Sequence, residues 1–230
     1  MKITWLGHSA FHLEIDGTDM LIDPFLTGNP KYPTGYDEKL AKVDAILVTH
    51  GHGDHVGDSA RLAQKFDSIV VSQPEICQFL GRTAGLTKFE SMNTGGAVKV
   101  GATTVAMVMA FHSSAIVENG VVTCTSDPIG FVVSGGGHTV YHTGDTGLFG
   151  DMSIIQDVYQ PDIGLIPIGD RYTMGPTTAA YACNKLLNLK TVIPMHYGTF
   201  PALSGKVEDF APLVRRGTVR IMTPGETIEI

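Results

Sequence analysis

Short apolar runs of strand length alternate along the chain with stretches whose apolar residues recur at three- and four-residue steps, the pattern of a layered α/β protein. Near the start, Lys2–Leu6, Phe11–Ile15 and Met20–Ile22 predict three strands, and Asp16-Gly17 between the last two is a hairpin turn signal. Asp23–Asp37, with three prolines and two glycines, predicts a surface loop. Val43–Thr49 reads as a continuous apolar run, as expected of a strand covered on both faces. Val56, Ala60, Ala63 and Phe66 then predict an amphipathic helix, Ser68–Ser72 a strand, and Pro74–Gly85 a helix with proline near its start.

Further on, Val98–Ala110 holds two strand-like pieces around Gly101, and Ile129–Ser134 and His138–Tyr141 flank Gly135-Gly136-Gly137, read as a hairpin turn. A phosphate loop is the weaker reading of those glycines, since a Lys-Ser/Thr pair is missing. Asp162–Ile168 and Thr191–Pro194 predict strands, Pro176–Leu187 and Val207–Arg215 helices, and Thr218–Ile221 a final strand before the tail. No break in composition marks a boundary. Residues 1–230 are therefore expected to form one domain of two similar β-then-α halves, without a repeat at the residue level.

One segment resists any packing explanation. His50-Gly51-His52-Gly53-Asp54-His55 places three imidazoles and a carboxylate in six residues, directly after an apolar strand. Such side chains would compete for solvation and add little to a core, whereas divalent cations would satisfy them together. In an extended segment the alternating His50, His52 and Asp54 would share a face, and His55 would turn elsewhere, as if toward a second cation. Gly51 and Gly53 fit a close backbone approach around such a site.

His50-x-His52-x-Asp54-His55 after a strand resembles the signature of the metallo-β-lactamase superfamily, and the later elements of that pattern appear in order. A third histidine after a strand is met by Ala110-Phe111-His112-Ser113, an aspartate after glycine by Thr143-Gly144-Asp145-Thr146, and a late histidine by Pro194-Met195-His196-Tyr197. The resemblance implies an αββα sandwich, two mixed β-sheets packed face to face with helices on the outer faces. It also implies that His50, His52 and His112 bind one metal, Asp54, His55 and His196 a second, and that Asp145 bridges them. All are N or O donors, which suits Zn²⁺ first and is compatible with Mn²⁺, Fe or Ni²⁺. Two divalent ions in this arrangement would hold a bridging hydroxide formed at neutral pH, with Asp54 as the catalytic carboxylate accepting the proton.

Leu6-Gly7-His8-Ser9 and Pro167-Ile168-Gly169-Asp170-Arg171-Tyr172-Thr173-Met174-Gly175-Pro176 are similar to a narrower branch that includes bacterial ascorbate-phosphate lactonase. That likeness makes His8, Asp170 and Thr173 candidates for contacting substrate or metal ligands, against the plainer reading of loop residues. His142, three residues before Asp145, is a candidate for orienting a ligand. His12 and His138 fit exposed strand or turn positions. Thr125-Ser126-Asp127-Pro128 departs from the small residue expected before Gly130, which puts substrate specificity in doubt.

Composition narrows the functions. With 230 residues, 43% of them hydrophobic, the chain is long enough for a well-buried core. A net charge of −7 opposes general nucleic-acid binding. The first residues lack signal-peptide features and no run is long enough to span a bilayer, so a cytoplasmic location is expected. Cys77, Cys124 and Cys183 read as scattered small hydrophobes, neither a disulfide framework nor a thiolate site. The expected function is a metal-dependent hydrolase of a small ester, lactone or phosphoester, its partner a small-molecule substrate, with a homo-oligomer left open. The competing readings are a non-catalytic metal-binding or sensor module of the same fold, or a phosphodiesterase or nuclease-type member.

Overall fold

Strands buried on both faces dominate the computed structural model, which describes residues 1–230 except the side chain of Cys124. In chain order they are β1 (Lys2–Trp5), β2 (Phe11–Ile15), β3 (Thr18–Ile22), β4 (Ala45–Leu47), β5 (Ile69–Ser72), β6 (Phe89–Ser91), β7 (Ala97–Val100) and β8 (Thr103–Met109). There follow β9 (Ala115–Glu118), β10 (Val121–Cys124), β11 (Ile129–Gly135), β12 (His138–His142), β13 (Ile163–Pro167), β14 (Thr191–Met195), β15 (Thr218–Val219) and β16 (Thr227–Glu229). The helices are α1 (Gly53–Val56), α2 (Ser59–Phe66), α3 (Pro74–Ala84), α4 (Met152–Tyr159), α5 (Pro176–Tyr181) and α6 (Val207–Phe210).

Two seven-stranded sheets form, ordered β16-β1-β2-β3-β4-β5-β6 and β15-β14-β13-β12-β11-β8-β7. Period-two alternation explains how they pack. Leu13, Ile15, Met20, Ile22 and Leu47 from the first sheet meet Met107, Phe131, Val140, Leu165 and Ile193 from the second in one shared core. Leu21, Ile46 and Val70 face outward onto Leu62 of α2 and Phe79 of α3. Val132, Tyr141, Ile166 and Val192 face outward onto Ile155 of α4, Ala179 of α5 and Phe210 of α6. Helix, sheet, sheet, helix is the αββα sandwich.

The two hairpin signals are realised: Asp16 and Gly17 lie at φ 49° and 79°, and Gly136 and Gly137 at 59° and 79°. Both pairs occupy the left-handed region that a two-residue hairpin turn requires. Other expectations are corrected. Gly53–Val56 forms a separate helical turn, so the extended alternation of His50, His52 and Asp54 ends at His52, and the next helix starts at Ser59. The helix expected over Pro176–Leu187 passes into a π-helical segment at Ala182–Leu186, and that over Val207–Arg215 ends at Phe210 and passes into a 3₁₀ turn. Strands β6 and β16, the β9–β10 hairpin and helix α4 were not expected. His12 is buried, bonded to the Tyr36 hydroxyl at 2.9 Å and paired with Asp19 at 3.3 Å. Cys77 and Cys183 are buried free thiols, while the Cys124 side chain lies outside the described residues. Among the described residues no helix is long and apolar enough to cross a membrane.

Topology decides where chemistry collects. β1 and β3 are each antiparallel to β2, and β4 is parallel to β3, so β1, β3 and β4 run the same way. In the second sheet β8 and β12 are each antiparallel to β11, and β13 and β14 continue parallel to β12. The loops after the C-terminal ends of these strands carry His8, Asp23, His50–His55, His112, Asp145 and His196. A rim at the carboxyl ends of parallel strands is the general location of binding sites in α/β sheets.

Asp23–Asp37 is no simple surface loop, because Asp23, Phe25, Leu26, Asn29 and Asp37 are buried. Asp58 anchors it, accepting the Leu26 and Thr27 N–H groups at 3.0 and 2.7 Å, the Thr27 hydroxyl at 2.7 Å and Arg61 Nε at 3.0 Å. Burial raises the Asp58 pKa, but these donors outweigh it and leave it below the ordinary carboxylate value. A depressed folded-state pKa gives stability present above the unfolded value and lost as pH falls through the folded one. Asp58→Asn is expected to cost about 1–3 kcal/mol in urea unfolding at pH 7, and the gap from wild type to close as pH drops below about 4.

Candidate metal centre

His50 emerges just beyond β4 with its ring fully buried. Thr49 Oγ1 donates to Asp23 Oδ2 at 2.7 Å and accepts from His50 Nδ1 at 3.0 Å, which leaves the Nε2 lone pair of His50 facing inward. There it stands 3.0 Å from His52 Nδ1. Two imidazole nitrogens on one tetrahedral zinc are about 3.3 Å apart, so this pair is close to the separation that a shared cation demands. The His112 ring completes the group, its centroid 5.2 Å from those of both His50 and His52.

The helical turn α1 carries Asp54 and His55 the other way. Ligand atoms of His8, Asp54, His55 and His196 all lie within 4.8 Å of one another, as do those of His50, His52 and His112. Asp145 stands between the groups: its Oδ2 is 2.9 Å from His196 Nε2, 3.3 Å from His55 Nε2 and 3.8 Å from His112 Nε2. His55 in turn donates from Nδ1 to Asp23 Oδ2 at 2.7 Å, aiming its Nε2 at Asp145.

These contacts set the charges. Burial disfavours the His55 imidazolium, but Asp145 and Asp23 outweigh it and hold the pKa well above the ordinary histidine value. Burial, then the charge on His55, pushes His50 well below that value, and the same causes lower His52. His112 is lowered first by burial. Burial raises Asp145, yet His196 and His55 overcome it and keep the carboxylate ionised. Two ligand-type atoms of the cluster, His55 Nε2 and Asp145 Oδ1, are buried without a hydrogen-bond partner. Unsatisfied buried donors and acceptors are costly, and a cation would satisfy this donor set of imidazole nitrogens and carboxylate oxygens. The cluster is able to hold metal.

His8 belongs to the site as well. The Asp54 carboxylate only accepts, so His8 donates to Asp54 Oδ2 from Nε2 at 3.1 Å, and its Nδ1 receives the Thr199 hydroxyl at 3.0 Å. Burial pulls its pKa down to about 4, so it is neutral at pH 7. Its Oδ2 held in this way, Asp54 stays ionised: burial raises its pKa, and the bond from His8 and the charge on His55 more than reverse this. His142 donates from Nε2 to the Ser9 carbonyl at 2.9 Å and accepts the Gly144 N–H at 3.1 Å, binding the His8 loop to the loop that presents Asp145. His8, Asp23 and His196 all adopt positive φ, at 56°, 45° and 55°. They are three of the nine described non-glycine residues in the left-handed region.

Other candidates fall elsewhere. Asp170 accepts the Ser204 hydroxyl at 3.1 Å and Thr173 bonds within its own turn, while Tyr172 between them lines the cavity beside the cluster. Thr125 does not line that cavity; it bonds Ser114 at 2.5 Å, and Ser114 accepts the Gly51 N–H at 3.0 Å. A Cβ on Gly51 would stand 2.5 Å from Thr125 Oγ1, whereas one on Gly53 would meet nothing within 4 Å, so only the first glycine answers to close approach. The sequence reading missed Asp23, Thr49 and Thr199. Asp23 alone had a signal, an acidic residue at the end of an apolar strand, the context that also marked His50.

The chain belongs to the beta-lactamase superfamily, whose domain profile matches residues 2–196. It is 46% identical over 233 residues to a protein of Methanopyrus kandleri and 44% identical over 238 residues to one of Azorhizobium caulinodans, each chain covered in full. Both relatives are named UPF0173 metal-dependent hydrolase. Among solved structures it is similar to Igni18, described as a novel metallo hydrolase of Ignicoccus hospitalis, with a TM-score of 0.86 and 37% identity over 99% of this chain and 97% of that one.

Asp23 touches both Thr49 and His55 without reaching the cavity, so its loss isolates the effect of orientation. Asp23→Asn is expected to weaken metal retention about 10–100-fold, read as a shifted midpoint in competition with a chelator. An unshifted midpoint would show that the metal groups orient themselves.

Proposed function

We propose that the chain is a hydrolase that holds two divalent cations, zinc foremost, and cleaves a small ester, lactone or phosphoester. The observation that carries this reading is the pairing of two donor groups, His50–His52–His112 and Asp54–His55–His196, around the single carboxylate of Asp145. A cation held there supplies Lewis acidity, acidifying water and polarising the oxygen of the scissile group.

The chain's own residues do the rest. Asp145 lies within reach of both groups, so it would hold them in register. Asp54 lines the cavity with one oxygen fixed by His8, leaving the other to accept the hydrogen bond, and then the proton, of the attacking water. His50, lowered by burial, offers a lone pair at neutral pH without first losing a proton. A cavity of about 520 Å³ opens onto His52, Asp54, His112, Asp145 and His196, a size suited to a small molecule rather than a polymer.

Purified protein reconstituted with zinc is expected to hold two equivalents by elemental analysis, and His50→Ala and His196→Ala about one each. Asp54→Asn is expected to fold, retain part of its metal and lose at least about 100-fold in turnover. If loaded wild-type protein turns over nothing in a panel of lactones, esters and phosphodiesters, a metal-binding module takes the place of the enzyme.

A further inference from the structure

The cavity beside the cluster has two kinds of surface. One side is the histidine and carboxylate group with Ser113 beside it; the other is built from Tyr172, Phe200, Ala202 and Leu203. No lysine or arginine is among the described residues that line it. Arg171 lies over the Tyr172 ring, 5.6 Å from its centroid, and does not contribute to the lining.

The apolar wall is fixed in place. It follows Thr199, whose hydroxyl is bound to His8, and the Phe200 ring meets the His8 ring edge-on at 5.4 Å. Leu203 is buried and its N–H bonds the Phe200 carbonyl at 3.0 Å. Gly205 N–H then bonds the Gly169 carbonyl at 3.1 Å, and a Cβ there would stand 1.7 Å from the Ile168 carbonyl oxygen, so this loop is locked against β13's end. One segment thus supports the metal groups from below and faces the substrate from above.

That lining selects by charge and by polarity. Beyond the metal groups, which would bind a carbonyl or a phosphoryl oxygen alike, the lining offers no guanidinium or ammonium to pair a second negative charge, within a protein that carries a net charge of −7. An aromatic and aliphatic wall rewards burial of an apolar group instead. Resting on the hydrolase reading above, we propose that the substrate is a small uncharged ester or lactone bearing an aryl or branched alkyl group, which lies on Phe200 and Leu203 while its carbonyl faces the cluster. Water's oxygen forms the new bond to the carbonyl carbon, the carbon–oxygen ester bond breaks, and water's proton passes through Asp54 to the departing alkoxide. The products are a carboxylic acid and an alcohol, joined in one molecule when the substrate is a lactone.

Calorimetric titration of the zinc-loaded protein with acetohydroxamate, benzohydroxamate and phenyl phosphate tests this without turnover. The two hydroxamates share a head group and differ in the group that would meet the wall. Benzohydroxamate is expected to bind at least about tenfold tighter than acetohydroxamate, and phenyl phosphate more weakly than benzohydroxamate. In Phe200→Ala, and separately in Leu203→Ser, the ratio of the two hydroxamate affinities is expected to fall about fivefold or more, with zinc content measured first. Equal hydroxamate affinities, an unchanged ratio in both variants, or tightest binding of phenyl phosphate would overturn the assignment. A wild-type protein that takes up no zinc defeats the metal-centre reading itself, and elemental analysis reveals that before any ligand is added.

Discussion

Crowding of ionisable groups largely withdrawn from water is the constraint around which this molecule is arranged. His8, His50, His55, Asp145 and His196 are buried, and none of them can escape its neighbours by turning to solvent. Burial lowers the pKa of His8 and His50, while Asp145 and Asp23 together hold that of His55 well above the ordinary value. The result is a set of nitrogen lone pairs and ionised carboxylates converging on two adjacent points, where a bound cation would take the place of the His55 proton. Left without a cation, such an assembly has unsatisfied buried atoms; supplied with one, it has a reason to exist.

Neither sheet builds this alone. The first supplies His8, Asp23 and His50–His55 from the loops after β1, β3 and β4, and the second supplies His112, Asp145 and His196 from the loops after β8, β12 and β14. The shared core of Leu13, Leu47, Phe131 and Leu165 is therefore what places the two halves of the cluster opposite each other. Hydrophobic burial between the sheets holds together groups that repel or dehydrate one another. His8, Asp23 and His196 adopt left-handed backbone where their loops bend into the cluster.

Much of this was legible from residue order, for identifiable reasons. His50–His55 stood out because packing cannot account for four metal-competent side chains together. His112, Asp145 and His196 were legible as strand-end residues in the order the family resemblance supplied. Strands β2, β4, β11 and β13 followed from apolar alternation or continuity. What stayed hidden depends on contacts distant in sequence. Thr199 gains its role only because β14 ends beside His8, and β16 is a strand only because β1, more than 200 residues earlier, offers an edge. Helix α4 was obscured because Ile154 is exposed next to the buried Ile155, which blurs the periodicity that marks an amphipathic helix. The apolar wall of Phe200 and Leu203 has no motif at all; its meaning arises from the cavity it faces.

The central claim is that two cations share Asp145. Anomalous scattering from crystals of zinc-loaded protein, collected at the zinc edge, tests it most directly. Two peaks are predicted, one among His50, His52 and His112 and one among Asp54, His55 and His196, about 3.5–4 Å apart and both within reach of Asp145. A single peak, or zinc bound only away from Asp145, would contradict the account.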